Sequence, residues 1–144
     1  MNIEVTGHAV PRLTRREIAA FVRRVLLKLD VDEEITDVSI AFVDDPSMKS
    51  LNRKFRHKNR TTDVLTFPAD ETYGDPHRKG KPLGDIVVSV DQARRQAAEE
   101  RHSIATEVRY LLVHGVLHAL GYDHENDNGE MNELELDVRE AVGL

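Results

Sequence analysis

Hydrophobic and polar positions along the chain follow two periods, one typical of strands and one of helices. Residues 2–6 and 37–43 alternate apolar and polar side chains, as a strand with one buried face does. Further strands are predicted at 63–67 and 83–90, and the apolar run 86–88 places the latter in the middle of a sheet. The pattern therefore predicts about four strands.

Helical periodicity begins after residues that commonly cap helix N-termini. Thr14 and Glu17 form a capping-box signature that opens a first amphipathic helix. Asp45 and Pro46 predict a second helix, with Asp as the N-cap and Pro at the first helical position, running to about Phe55. The first half of the chain thus supplies two helices between predicted strands.

The second half of the chain is mainly helical. Asp91 is predicted to cap an Ala-rich helix, and Ser103 to begin the most apolar helix, at 104–120, which Gly121 ends. Residues 127–130 are predicted to cap a final acidic helix. The chain is therefore predicted to be α+β, with a single mixed β-sheet of about four strands packed with about five helices.

Composition adds limits to this picture. The 144 residues are 40% hydrophobic and 32% charged, which predicts one soluble domain spanning 1–144. The chain has no cysteine, so any metal must be held by His, Asp or Glu. It has no apolar run of about 20 residues and no basic, apolar leader at its start, so we expect a cytoplasmic protein that does not enter the membrane.

Charge is unevenly distributed along the sequence. The net charge is −6, yet residues 53–60, here called the basic segment, carry five formal cations. Residues 123–140 carry eight acids against a single arginine. The segment predicts a surface that can meet an anionic substrate locally, although it also fits a solvated helix end where cations favour the helix dipole.

Candidate chemistry is concentrated at 114–124, in the sequence HGVLHALGYDH. His114 and His118 are four residues apart and share one face of the predicted helix. Gly121 can turn the chain so that His124 returns toward the same point. Three imidazoles and an open fourth position are typical of catalytic zinc, so we predict one zinc ion per chain. Seven histidines give only about 0.02 such triplets by chance, although two buried histidines and an unrelated third remain the alternative.

The spacing of the three histidines resembles the H-E-x-x-H-x-x-G-x-x-H signature of metzincin proteases. Their glutamate is the general base, and this chain has Gly115 there. A glycine cannot transfer a proton, so a peptidase would need another base. A Gly inside a helix costs about 1 kcal/mol relative to Ala, which indicates close approach of substrate or backbone, or helix–helix packing.

Four segments in order resemble the bacterial YbeY family. They are LNRKFR at 51–56, TDVLTFP at 62–68, LGDI at 83–86 and the histidine motif at 114–124. The chain departs from the usual family pattern at Thr66, where a serine is common, but the hydroxyl is kept.

This resemblance implies a zinc-dependent, single-strand-specific endoribonuclease in ribosome biogenesis, which matures the 3′ end of small-subunit ribosomal RNA. It implies zinc binding by His114, His118 and His124, and an essential function for Arg56. The implied partners are ribosomal RNA and, with it, ribosomal subunits or ribosome-associated proteins.

Residue chemistry alone supports the same reaction class. Water bound to zinc can attack a phosphodiester, and the planar guanidinium of Arg56 can bind phosphate oxygens in two places. Asp123 is a candidate base, or a partner that orients a metal-bound imidazole, and equally a turn residue. Asp63 and Asp85 are predicted to begin strands and are weaker candidates. Two alternatives stay open: a zincin-like metallopeptidase with a non-standard base, and a non-catalytic ribosome-binding module stapled by zinc.

Overall fold

A computed structural model describes residues 1–31, 36–69, 81–123 and 127–144. Its four strands are β1 (Asn2–Gly7), β2 (Thr36–Val43), β3 (Val64–Pro68) and β4 (Lys81–Ser89). Its five helices are α1 (Arg15–Lys28), α2 (Asp45–Arg56), α3 (Val90–Glu100), α4 (Ile104–Ala119) and α5 (Glu130–Ala141). The predicted α+β class is confirmed, while most of the predicted loop at 69–82 lies outside the described residues.

The four strands form one mixed sheet in the order β1-β2-β4-β3. Strands β1, β2 and β4 are parallel, and Ile40 lies beside Ile86 in the centre of the sheet. Strand β3 pairs antiparallel with β4, with Leu65 opposite Val87. The predicted central strand is therefore confirmed as β4, and β3 follows it at the edge.

The two faces of the sheet bury different sets of side chains, because alternate residues of a strand point in opposite directions. Val38, Ile40 and Phe42 of β2 join the main core, which α1, α3, α4 and α5 cover. Ala41 and Val43 point to the other face, where a small second cluster forms around Met48 of α2. The apolar face of α2 thus holds this helix across the sheet from the others.

Helix α4 is the centre of the main core. It packs against α1, α3, α5 and the two strands β3 and β4. Ten of its sixteen residues are buried, which explains why its sequence is the most apolar among the predicted helices. No helix within the described ranges has the length and apolar character needed to span a membrane.

Helix α4 packs closely against β4 at Gly115. A Cβ atom added there would lie 2.8 Å from Cγ2 of Ile86 and 3.5 Å from Cγ2 of Val64. Ile86 is fully buried and β-branched, so it cannot swing aside easily. The glycine is explained by helix–sheet packing, and neither the expected approach of backbone or substrate nor the helix–helix alternative accounts for it.

Two predicted N-caps are wrong by one or two residues. Asp44, not Asp45, caps α2 by accepting from the backbone N–H of Ser47 at 2.9 Å. Ser89, not Asp91, caps α3 by accepting from Gln92 N–H at 3.1 Å. The physical reason is that both aspartates are engaged in tertiary contacts, which the local sequence cannot show.

Asp45 is the centre of these tertiary contacts. Its carboxylate accepts from the hydroxyls of Thr61 at 3.0 Å and Ser89 at 2.9 Å, and from the Arg95 guanidinium at 2.6 Å. Its backbone N–H donates to Asp91 at 2.8 Å. The network joins α2, the chain after the basic segment, β4 and α3, and so fixes where the basic segment ends.

The charge of Asp45 stabilises this junction. Burial alone would raise the pKa of Asp45, but the hydrogen bonds from Arg95, Ser89 and Thr61 outweigh it and lower the pKa below its ordinary value. A carboxyl whose pKa is lower when folded stabilises the fold above its unfolded pKa. That contribution is lost as pH falls through the folded value.

We expect Asp45→Asn to lower the free energy of unfolding at pH 7 by about 1 kcal/mol. The Asn side chain lacks the negative charge that pairs with Arg95, and its single oxygen cannot accept all the hydrogen bonds that the carboxylate accepts. The difference from wild type should shrink as pH falls below about 4 and through the lowered folded pKa, where the wild-type carboxyl itself becomes protonated. Urea denaturation at about pH 7 and about pH 2.5 measures both. Asp137→Asn, which alters an exposed acid on α5, is the control and should change little. An Asp45 effect that is equal at both pH values would contradict a role for its charge.

Candidate active site

His114 and His118 lie on the one open stripe of the second half of α4. All the remaining residues from 111 to 119 are buried, whereas the side chains of these two histidines are partly exposed. Their Nε2 atoms are 2.9 Å apart and their rings are tilted by 70°. The helix spacing predicted from the sequence therefore places two imidazole nitrogens at one point on the surface.

Glu135 supports this pair from helix α5. Its Oε1 lies 3.1 Å from Nδ1 of His114, and its side chain is 8% exposed. Arg139, one turn further along α5, is 3.5 Å from the same carboxylate oxygen. Metal-binding histidines commonly donate their second N–H to such a carboxylate, which fixes the tautomer and turns the other nitrogen outward. The sequence analysis missed Glu135, since only tertiary packing brings it to the histidine.

The two imidazoles are of the type that would hold a zinc ion. Nitrogens bound to one tetrahedral zinc ion at about 2.0–2.1 Å lie about 3.3 Å apart, so the two Nε2 atoms, which are 2.9 Å apart, would separate slightly to share one ion. The third predicted ligand, His124, lies outside the described residues. Within the described ranges no three His, Cys, Asp or Glu side chains are grouped as a metal site. The described chain therefore supplies two nitrogen donors of a suitable type and spacing.

The chain turn after α4 has the geometry that the sequence predicts. Gly121 has a left-handed φ of 99°, and its N–H donates to the His118 carbonyl at 3.0 Å. The next N–H, of Tyr122, donates to the Leu117 carbonyl at 3.1 Å. Together these bonds form a Schellman motif, in which glycine avoids the strain of a Cβ atom. The chain thus leaves α4 in a defined direction immediately beside His118.

Arg56, at the end of α2, is held in place by β3. Its guanidinium donates to the Thr66 carbonyl at 2.7 Å and to the Phe55 carbonyl at 3.4 Å. It also lies over the Phe67 ring, 5.1 Å from the ring centroid. These bonds use one hydrogen on each terminal nitrogen, so three of the five N–H donors remain for a ligand.

The basic segment is held in place by Asn52 of α2, a buried residue whose side chain is 3% exposed. The Asn52 side-chain amide donates to the Arg60 carbonyl at 2.9 Å, and the Asn52 carbonyl accepts from Lys58 N–H at 3.3 Å. His57 ends α2 in a left-handed conformation, with φ of 59°. The part of the basic segment that follows α2 is therefore a turn held by hydrogen bonds to Asn52, whereas a merely solvated helix end would need no such anchor.

One cleft of about 570 Å³ brings these features together. Arg56, Lys58 and Arg60 line it beside His114 and His118. Its remaining lining comes from the neighbouring parts of α2, β3 and the turn after α4: Asn52, Thr62, Asp63, Val64, Leu65, Thr66, Pro68, Gly121, Tyr122 and Asp123. The basic segment and the histidine motif, which lie more than fifty residues apart in sequence, therefore share one concave surface.

The three aspartates that the sequence analysis named as weaker candidates do not all lie in this cleft. Asp123 lines the cleft. Asp63 also lines it, but its carboxylate already accepts from Val64 N–H at 2.7 Å and from the Gln96 side chain of α3 at 3.2 Å. Asp85 lies within β4 rather than at its start, and it lines a separate cavity on the sheet.

Comparison with known proteins gives consistent results. The family model for endoribonuclease YbeY matches residues 3–143. An endoribonuclease YbeY from Nautilia profundicola is 44% identical, over 75% of this chain and 73% of that protein. Another, from Caldicellulosiruptor bescii, is 40% identical, over 82% of this chain and 80% of that protein.

A solved structure agrees with the observed fold. The solution structure of a Thermotoga maritima protein matches with a TM-score of 0.66 and 28% identity, covering 97% of this chain and 88% of that one. The expected resemblance, first based on four short motifs, extends over nearly the whole chain. The chain therefore belongs to the endoribonuclease YbeY family.

Proposed function

We propose that this chain is a zinc-dependent endoribonuclease that cuts single-stranded RNA and matures the 3′ end of small-subunit ribosomal RNA in the cytoplasm. Two imidazole nitrogens 2.9 Å apart, in a cleft lined by three cations, are the main support for this proposal. The names of the curated relatives support the reaction class. The ribosomal RNA target and ribosome-associated partners rest on the family resemblance.

His114, His118 and His124 would hold the zinc ion. When bound, zinc supplies Lewis-acid activation of water, whose pKa it lowers to about 7. Glu135 would keep the Nδ1 proton on His114, so that Nε2 presents a lone pair in the cleft. Because α4 is buried around this pair, the two nitrogens meet a ligand without a large loss of side-chain entropy.

Arg56 would stabilise the charge that develops on the phosphate oxygens. Its bonds to the Thr66 and Phe55 carbonyls fix the plane of the guanidinium before substrate binds. Donors that are already oriented avoid reorganisation during the reaction, which is why such groups contribute strongly to catalysis. Lys58 and Arg60 would instead hold flanking phosphates by charge.

Asp123 would act as the general base or would orient a ligand imidazole, since it lines the same cleft. The alternative of a peptidase finds less support. A side chain at position 115 would point at Ile86 and into the sheet, so the metzincin position for a base faces away from the cleft. The cationic lining also has no evident use on a peptide substrate. If no RNA is cut, the protein would instead be interpreted as the non-catalytic ribosome-binding module.

The reaction class is tested by incubating zinc-loaded protein with a labelled unstructured RNA, with its duplex form and with casein, each with and without chelator. We expect cleavage of the single strand alone, its loss with chelator and its return when zinc is restored. A His114→Ala, His118→Ala double variant controls for contaminating nuclease. Cleavage by that variant, or of casein by the wild type, would contradict the proposal.

Zinc content gives a second, independent readout. We expect one zinc ion per chain in protein purified without chelator, and none in the His114→Ala, His118→Ala variant. Glu135→Gln should keep the site but weaken zinc affinity about 10- to 100-fold, the usual effect of losing such a carboxylate. Competition with a chromophoric chelator measures this. Glu133→Gln, an exposed change on the same helix, is the control, and equal affinities in the two variants would exclude Glu135 from the site.

Arg56 is tested apart from the metal. Arg56→Ala should leave zinc content and thermal stability nearly unchanged and slow single-turnover cleavage about 10²–10³-fold, because one oriented electrostatic stabiliser is lost. Arg56→Lys should restore only part, since a point charge cannot make a two-pronged contact. Lys58→Ala should mainly weaken RNA binding, and less so at high salt. Wild-type cleavage by Arg56→Ala at saturating enzyme would rule out a catalytic role.

A further inference from the structure

Few aromatic side chains are exposed in the part of the chain that the structure describes. Among the Phe and Tyr residues that the structure describes, only Phe55 and Tyr122 are exposed, at 47% and 38%. Both lie close to the residues discussed above: Phe55 precedes Arg56 in α2, and Tyr122 lines the cleft itself. Single exposed rings are common on protein surfaces, so the surroundings of each ring decide whether a ligand-binding use can be assigned to it.

The two rings have different surroundings. Phe55 packs edge-on against Phe67 with centroids 5.2 Å apart, and the Lys54 ammonium lies 5.2 Å from its own centroid. Phe55 also continues the apolar face of α2 that covers the second cluster, so packing accounts for it. Within the described part of the chain, no second ring or cation stacks on Tyr122.

The backbone that carries Tyr122 is rigidly placed. Its N–H donates to Leu117 O as the last bond of the Schellman motif, and it lies four residues after His118. The backbone at Tyr122 is therefore fixed at the end of a buried helix, and the residue lines the same cleft as the histidine pair. Part of the ordering that a bound ligand would require is thus already present in the backbone, which favours binding.

The cleft combines this ring with cations from a different element. Arg56, Lys58 and Arg60 come from α2 and the turn after it, whereas Tyr122 follows α4. Cations that follow a sugar–phosphate backbone, together with an aromatic surface for a base, are the two parts by which proteins bind unpaired nucleic acid. A base inside a duplex is already stacked and paired, so it could not cover the ring.

We infer that Tyr122 is the stacking platform for an unpaired nucleobase next to the scissile phosphate. This inference rests on the proposed function and deepens it, because it names the contact that would select single-stranded RNA. The phosphate lies against the cations while the adjoining base leaves its own stack and covers the phenol ring. Base identity matters little there, since every nucleobase has a stacking face.

The test pairs a change in the protein with a change in the RNA. The scissile bond is first mapped in a short unstructured RNA with wild-type protein. An abasic nucleotide is then placed on either side of that bond, and the half-saturating enzyme concentration is measured in single-turnover cleavage. We expect one abasic position to raise this concentration about 5- to 100-fold for the wild type. Tyr122→Leu should show the same rise on intact RNA and no further rise on the abasic RNA.

Three further variants separate stacking from folding. Tyr122→Phe keeps the ring and should keep the full response to the abasic nucleotide. Leu136→Ala removes an exposed apolar side chain on α5, outside the cleft lining, and should also behave as wild type. Phe55→Leu should keep the full response to the abasic nucleotide. If Phe55→Leu loses that response and Tyr122→Leu keeps it, the platform is Phe55 and the inference is overturned.

Failure of this inference differs from failure of the proposed function. If wild-type protein with zinc cuts no RNA, the proposed endoribonuclease function is wrong. If it cuts RNA but neither abasic position changes the half-saturating concentration, the function stands and no base stacks beside the cut. Equal and additive losses from Tyr122→Leu and the abasic nucleotide would also overturn the inference, because groups in contact are not additive.

Discussion

The candidate site depends on how closely α4 packs against the sheet. At Gly115 the helix lies so near β4 that even a methyl group would collide with Ile86. This contact leaves His114 and His118, on either side of the glycine, as the open stripe of an otherwise buried helix. Packed interiors do not deform continuously, so the positions of the two imidazoles are as well determined as the core itself. A residue that looks like a lost catalytic base is thereby explained as a packing requirement.

The other side of the cleft depends on polar anchors rather than on close packing. Asn52 and Asp45 bind the two ends of the turn that carries Lys58 and Arg60, and Thr66 joins the strand that holds Arg56 to α4. Thr66 donates its hydroxyl to the Gly115 carbonyl at 3.3 Å, so the two sides of the cleft meet at the same glycine. The hydroxyl kept at position 66 thus has a structural use, which explains why threonine can stand there in place of serine.

These two kinds of support suit the chemistry that each side would perform. Metal ligands need fixed distances, and a buried helix provides them together with the carboxylate of Glu135. Phosphate contacts need charge and orientation, and an exposed turn with anchored ends provides both while staying open to a long substrate. A net charge of −6 is compatible with an RNA substrate, because the cations are concentrated where the cleft lies.

The sequence by itself determined the secondary structure, the fold class and the histidine pair. These follow from local patterns, since a spacing of four residues on a helix and a capping box such as Thr14 with Glu17 act within a few residues. Four motifs also identified the family. Only the tertiary structure decided why position 115 is glycine, that Ser89 rather than Asp91 caps α3, and that Glu135 meets His114. Those features depend on contacts between distant elements, whose partners no local pattern records.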